Sequence, residues 1–242
     1  MLTSRVVEVR WGSERGLCKR LAPRAAREAW MRELLVAEGR VLAHLGGQGA
    51  PRLLDAGEDA AGPWFVMELV GGASLLEQMG ARDPAWTAAA AQAVFEALAL
   101  VHARDVLHGD VSPANVFVGQ GRCKLIDFGL ARWAGAPPLP EGPFRGTLLY
   151  AAPELARSEA IDPRADLFAA ATSLLHAYSG QAPRPDASEA SMLLAAGDEP
   201  IDGWAESASE GLPQRVRAAL RSSCAFDRAG RPASARELLA RL

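Results

Sequence analysis

The apolar and polar positions of the chain change period several times, and each change marks an element. Residues 5–11, Arg5-Val6-Val7-Glu8-Val9-Arg10-Trp11, alternate well enough for a strand. Gly12-Ser13-Glu14-Arg15-Gly16 reads as a turn and Leu17-Cys18-Lys19-Arg20-Leu21 as the returning strand. From Pro23 to Leu45 the apolar positions Ala26, Trp30, Leu34, Ala37, Val41, Leu42 and Leu45 take helical spacing. Gly46-Gly47-Gln48-Gly49 follows that helix rather than opening one, and no Lys-Ser/Thr pair comes after it, so it reads as a cap and connector. Pro63 to Val70 is a strand of the buried type running into Gly71-Gly72. Ala85 to Arg104 is a long alanine-rich helix with core positions at Val94, Leu98 and Val101, and His102 on it reads as packed or capping. Val116-Phe117-Val118 and Leu125-Ile126 are short strands around a turn. Leu167 to Tyr178 is an apolar helix closed by Gly180. Residues 181–211, rich in Pro, Gly, Ser and acidic side chains, include a long irregular connection.

Composition narrows the classes. The 242 residues, 49% apolar and 23% charged, suit an ordinary globular protein with a substantial core, in one large domain or two small lobes. A net charge of −3 gives no global electrostatic case for nucleic acid or an anionic membrane, though it leaves room for a local basic patch. Cys18, Cys123 and Cys224 lie far apart without CxxC spacing, which points to neither a zinc site nor a disulfide framework. No signal peptide is apparent at the N-terminus, and no apolar run reaches the roughly 18 residues of a membrane span. The expectation is a cytoplasmic protein with neither membrane nor nucleic acid as partner. Only two of the 26 basic residues are lysines, Lys19 and Lys124. A chain that uses arginine almost everywhere else keeps a compact ammonium at position 19.

The chemistry concentrates in His108-Gly109-Asp110-Val111-Ser112-Pro113-Ala114-Asn115 and in Asp127-Phe128-Gly129. A carboxylate, an amide five residues later and a second carboxylate stand among short apolar runs. One carboxylate can orient an attacking hydroxyl while the other and the amide hold Mg²⁺ against phosphates. Read singly, each Asp or Asn is a turn former beside Gly or Pro. Together with Gly146-Thr147-Leu148-Leu149-Tyr150-Ala151-Ala152-Pro153-Glu154, the motifs in this order resemble the protein kinase superfamily, from about residue 5 to the C-terminus.

The resemblance implies an α+β, bilobal kinase-like fold. A truncated, β-rich N-lobe would span residues 1–70 and a mainly helical C-lobe residues 71–242, together one kinase domain. It implies ATP and Mg²⁺ as cofactors and a protein as substrate, with room for a regulatory or activating partner protein. Asp110 would be the catalytic base or orienting group, and Asn115 and Asp127 the metal ligands. Lys19 would contact the α- and β-phosphates and pair with Glu38; Glu28 and Glu33 compete for that role on the same helix. Met67 would back the adenine pocket, with backbone groups of Glu68 to Val70 at the adenine edge and Phe117 in the floor. Asp166 would anchor the catalytic-loop backbone, Arg231 would pair with Glu154, and Gly146-Thr147 resembles the substrate-site pattern of serine/threonine kinases.

The sequence departs from the family at four points. It contains no Gly-x-Gly-x-x-Gly loop ahead of Lys19. Leu17 stands where a small residue is usual, toward the adenine roof. Ser112 replaces a catalytic-loop lysine, and Gly109 replaces the arginine that reads a phosphorylated activation segment. A pseudokinase scaffold and a small-molecule phosphotransferase of kinase-like fold therefore stay as alternatives. The stretch from Phe128 to Gly146 holds no Ser, Thr or Tyr and includes Pro137-Pro138-Leu139-Pro140, whose Pro-x-x-Pro spacing also suits an SH3-type ligand. With no acceptor and no reader, activation by phosphorylation of that stretch is not expected. Thr147→Glu should accordingly leave phosphotransfer no higher than in the parent chain; a rise in initial rate would refute this.

Overall fold

Gly12, at φ 59°, turns the chain back between β1 (Ser4–Trp11) and β2 (Glu14–Leu21), so Glu14 to Gly16 are strand and not turn. The computed structural model describes residues 4–134, 146–184 and 188–242, and the Pro137-x-x-Pro140 spacing lies outside the described residues. In the hairpin register Val6 faces Lys19 and Glu8 faces Leu17. Gly16 passes β4 so closely that a Cβ there would lie 2.9 Å from the Met67 carbonyl oxygen.

Helix α1 spans Ala29–Leu45 and begins later than the apolar spacing suggests. Residues 25–27 form one 3₁₀ turn, and Glu28, extended at φ −89° and ψ 113°, interrupts the helical path. Gly46 closes α1 in the left-handed region at φ 58°, its amide donating to the Leu42 carbonyl. Strand β3 (Leu53–Asp59) was not legible, because Leu-Leu-Asp-Ala-Gly-Glu-Asp lacks β-branched residues and regular alternation. It pairs with β4 (Gly62–Glu68), giving an antiparallel sheet in the order β1-β2-β4-β3. Helix α1 lies on this sheet with Gly39 against the Phe65 ring.

The helical lobe is built around α2 (Pro84–His102), which Asp83 caps by accepting from the Trp86 amide. This helix is long and apolar enough to cross a membrane, but Val94, Phe95, Leu98 and Val101 are fully buried in the protein core. It packs against α4 (Pro163–Ser179), α8 (Ala235–Leu239) and a second sheet. That sheet orders β5 (Ala73–Ser74), β6 (Val116–Gly119) and β7 (Arg122–Leu125), the last two forming the expected hairpin. Between α2 and α8 the described residues also form α3 (Pro153–Ala156), α5 (Glu189–Asp198), α6 (Asp202–Ala208) and α7 (Gln214–Ser223). Helices α5 and α6 occupy much of the stretch read as irregular. Ser188 caps α5, and burial of Ala196, Ala205 and Ala208 supplies the packing that composition hid.

Glu154, in α3, meets Arg231 at 2.7 and 3.0 Å as a fork-to-fork pair, with both side chains buried. The remaining guanidinium donors reach the carbonyls of Ala225, Phe226 and Arg164, and the plane sits 4.7 Å over Phe168. Arg231→Ala should therefore cost about 3–5 kcal/mol by stranding a buried carboxylate. The exposed pair Arg241–Glu237 should contribute under about 1 kcal/mol. Urea unfolding of Arg231→Ala beside Arg241→Ala checks the contrast.

Candidate active site

The loop at residues 108–115 is held from below. Asp166, in the first turn of α4 and buried, accepts from the His108 amide at 2.8 Å and the Gly109 amide at 2.9 Å. His102 of α2 meets the same carboxylate at 2.8 Å through Nε2, so it is a packed residue with a partner, Asp166. Burial pushes the Asp166 carboxyl up, but its hydrogen bonds and the neighbouring histidines more than reverse this and hold it below the usual carboxylate value. His108 is itself buried, with Nε2 2.9 Å from the Ile126 carbonyl and its ring 4.6 Å from Phe128. Gly109 sits at φ 75°, and a Cβ there would lie 2.7 Å from the Leu130 carbonyl oxygen. The absence of an arginine at 109 thus has a steric reason, since no side chain fits beneath that carbonyl.

Above this loop the predicted residues converge. Lys19 Nζ donates to both Glu38 oxygens at 2.7 and 2.9 Å and to Asp127 Oδ1 at 2.9 Å. Lys19 and Glu38 are buried whereas Asp127 is half exposed, at φ 63°. Glu28 and Glu33 are solvent-exposed, which leaves Glu38 as the partner. Burial pushes the Glu38 carboxyl up to about 7 against the downward pull of Lys19. For Lys19 burial acts downward, but the charges of Glu38 and Asp127 prevail and raise it. Asp127 is pushed up by its surroundings and held below the ordinary range by Lys19. Asp110 Oδ1 accepts from the Thr147 amide at 2.8 Å, and burial, partly offset by that bond, raises its carboxyl. The Asn115 side-chain amide donates to the Asp110 carbonyl at 2.9 Å, leaving its own oxygen uncommitted by that bond.

A cavity of about 390 Å³ joins Lys19, Glu38, Asp110, Asp127 and Thr147, then runs along α1 past Trp30, Met31 and Leu34. Met67, Glu68, Val70, Phe117 and Asn115 do not line it, though Asn115 touches it indirectly through its bond to Asp110. Met67 is buried beside β2, where it pairs with Leu17, and Leu17 is half-buried on the face that also carries Lys19. The Glu68 side chain does something the sequence reading missed. It accepts from the Arg52 amide at 2.9 Å and from Lys124 Nζ at 2.5 Å, so the strand leaving the N-lobe is tied to β7. The scarcity of lysine was the one available sign of Lys124. Trp133 stacks on His44 at 5.0 Å, joining the stretch after Gly129 to the end of α1; no sequence pattern announced it.

A small antiparallel sheet over a helical lobe, with these carboxylates and one buried ammonium in the cleft, is the fold of a kinase-like phosphotransferase. The chain belongs to the protein kinase family: the protein kinase domain model matches residues 4–240. It is 32% identical over 151 residues to serine/threonine-protein kinase PknL of Mycobacterium tuberculosis, covering 60% of this chain and 38% of that protein. It is 31% identical over 191 residues to serine/threonine-protein kinase PknJ of Mycobacterium bovis, covering 74% and 32%. Over 166 residues it is 31% identical to serine/threonine-protein kinase pkn2 of Myxococcus xanthus, covering 64% and 20%. The chain thus spans well under half the length of each of these relatives.

A carboxyl whose pKa rises from 4.5 to about 7 on folding adds a stability contribution that is complete below pH 4.5 and is lost as the pH rises through 7. Carbon-13 NMR should show Glu38 titrating near 7. Lys19→Met removes the cation that pulls this value down, so the midpoint should move upward; a downward move would contradict the assignment.

Proposed function

We propose that this chain is the catalytic domain of a serine/threonine protein kinase that moves the γ-phosphoryl group of ATP, with Mg²⁺, to a protein hydroxyl. The observation that carries the reading is the convergence of Lys19, Glu38, Asp127 and Asp110 on one cavity. Three carboxylates against one ammonium leave that cavity with an excess of negative charge, which suits Mg²⁺ beside a polyphosphate. Among the described residues no cluster of three or more His, Cys, Asp or Glu would hold a metal ion alone. The oxygens of Asn115 and Asp127 would hold Mg²⁺ together with phosphate oxygens, and the ion would neutralise charge developing on the transferred group.

Lys19, steadied by Glu38, supplies the point charge for the α- and β-phosphates. Asp110 receives the acceptor hydroxyl's proton, and its raised pKa makes it a better base than a free aspartate. Thr147, bonded to Asp110, places the segment that presents the acceptor. The printed names of the relatives support the choice of serine and threonine as acceptors. The lack of Ser, Thr or Tyr over 128–146 and the absence of room at Gly109 support control by something other than phosphorylation there, such as a partner protein. Free, buried cysteines suit a cytoplasmic site of action.

Leu17 favours one competing reading, a scaffold that transfers nothing, because the kinase resemblance expects a small residue there, two before Lys19 on the same strand face. Calorimetric titration with ATP, with and without Mg²⁺, separates the two. The kinase reading expects Mg²⁺-dependent binding that Lys19→Met and Asp127→Asn weaken, and a loss of transfer of about 10²–10⁴-fold in Asp110→Asn. No binding at millimolar ATP would sink it.

A further inference from the structure

The charge of −3 is unevenly spread, and a basic hollow lies behind the catalytic cleft. Cys18 and Arg20 alternate with Lys19 along β2 and so stand on the opposite sheet face. That face, with the link from β2 to α1, encloses a cavity of about 460 Å³. Among the described residues four arginines line it, Arg5 of β1, Arg20 of β2, Arg27 of the 3₁₀ turn and Arg32 of α1, and no carboxylate does. The remaining wall is largely apolar, including Val7, Leu21, Pro23 and Ala26.

The four guanidiniums fall into two kinds. Arg20 is gripped by Asp59 at 3.0 and 2.8 Å, and Arg32 is paired with Glu58, both acids coming from β3 behind the hollow. These two are oriented in advance. Arg5 and Arg27 have no ion-pair partner among the described residues. Two of four charges are matched, so the hollow keeps an excess of two positive charges. The complement is a dianion that takes guanidinium forks, which a phosphomonoester is, at about −1.5 to −2 near neutral pH. The volume and the apolar wall leave space for an organic group behind the phosphate.

We propose that this hollow is a binding site for a phosphomonoester, separate from the catalytic cleft. Its ligand bridges β1 and β2 to the start of α1, and those elements carry Lys19 and Glu38. Binding there clamps α1 to the sheet and steadies the buried Lys19–Glu38 pair from the far side. This second step rests on the kinase reading, whereas the binding site does not. The phosphomonoester is either a small organic phosphate or a phosphorylated residue of a protein.

Calorimetry on Lys19→Met protein, in which the cleft has lost its cation, isolates the hollow. The probes are phenyl phosphate, inorganic phosphate, a phosphoserine peptide and the same peptide without phosphate. One site is expected, weaker for inorganic phosphate than for phenyl phosphate and weakened by salt. Arg5→Gln combined with Arg27→Gln should reduce affinity about 10- to 100-fold. Both residues are exposed and unpaired, so the melting temperature should hold and a folding defect is separable. No heat at millimolar phenyl phosphate and phosphopeptide, or unchanged affinity in the double variant, overturns the site. The tighter of phenyl phosphate and phosphopeptide names the source. In the wild-type chain, binding that leaves the transfer rate unchanged refutes the clamp and keeps the site.

Discussion

One buried carboxylate, Asp166, sets the position of nearly everything in the cleft. It belongs to α4 yet accepts from two consecutive amides of the 108–115 loop and meets His102 of α2. A loop with proline and glycine in it has little regular structure to hold it, so its backbone donors must be met by something rigid. Here that is the first turn of a helix whose burial is almost complete. Isolated, such a carboxylate would be costly to bury, and its three partners are what keep it ionised. Loop and anchor therefore stabilise each other, and Asp110 inherits its location from them.

The upper lobe answers with a second buried charge system of opposite logic. Lys19 and Glu38 are drawn from a strand and a helix that touch few other parts of the helical lobe, and Asp127 adds a link across the cleft. Glu68 adds another through Lys124. Two ionic links across the cleft act beside a continuous apolar core in which Leu42, Leu45 and Met67 join Leu98, Val101 and Phe128. Asp127 makes this link while its side chain stays half exposed to the cleft. The left-handed backbone at Asp127, a conformation that carries strain of about 1–3 kcal/mol, is repaid by these contacts.

Apolar period located most elements: the first hairpin, the long helices and the 116–125 hairpin were all readable because one face of each is buried. Strand β3 and helices α5 and α6 were not, since their residues are small, acidic or turn-forming and their burial depends on neighbours. The start of α1 moved for a local reason, the extended Glu28. Among site residues, Lys19, Asp110, Asn115, Asp127 and Glu154 were legible from motif order. The Lys124–Glu68–Arg52 tie and the His44–Trp133 stack were not, because they join residues 16 to 89 positions apart without a periodic signal.

What the sequence determined alone is the inventory of chemistry and its order along the chain. A carboxylate, an amide and a second carboxylate follow one another at short spacing, and that order is a property of the chain itself. What only the tertiary structure decided is which charges meet. Glu38 over Glu33 follows from α1's rotation against the sheet, and Glu28 is excluded because it lies extended ahead of that helix. Gly109 in place of an arginine follows from the nearness of Leu130, and the basic hollow from strand and helix arginines brought to one face. Those outcomes depend on distances through space, which burial and packing set and neighbouring residues in the chain do not encode.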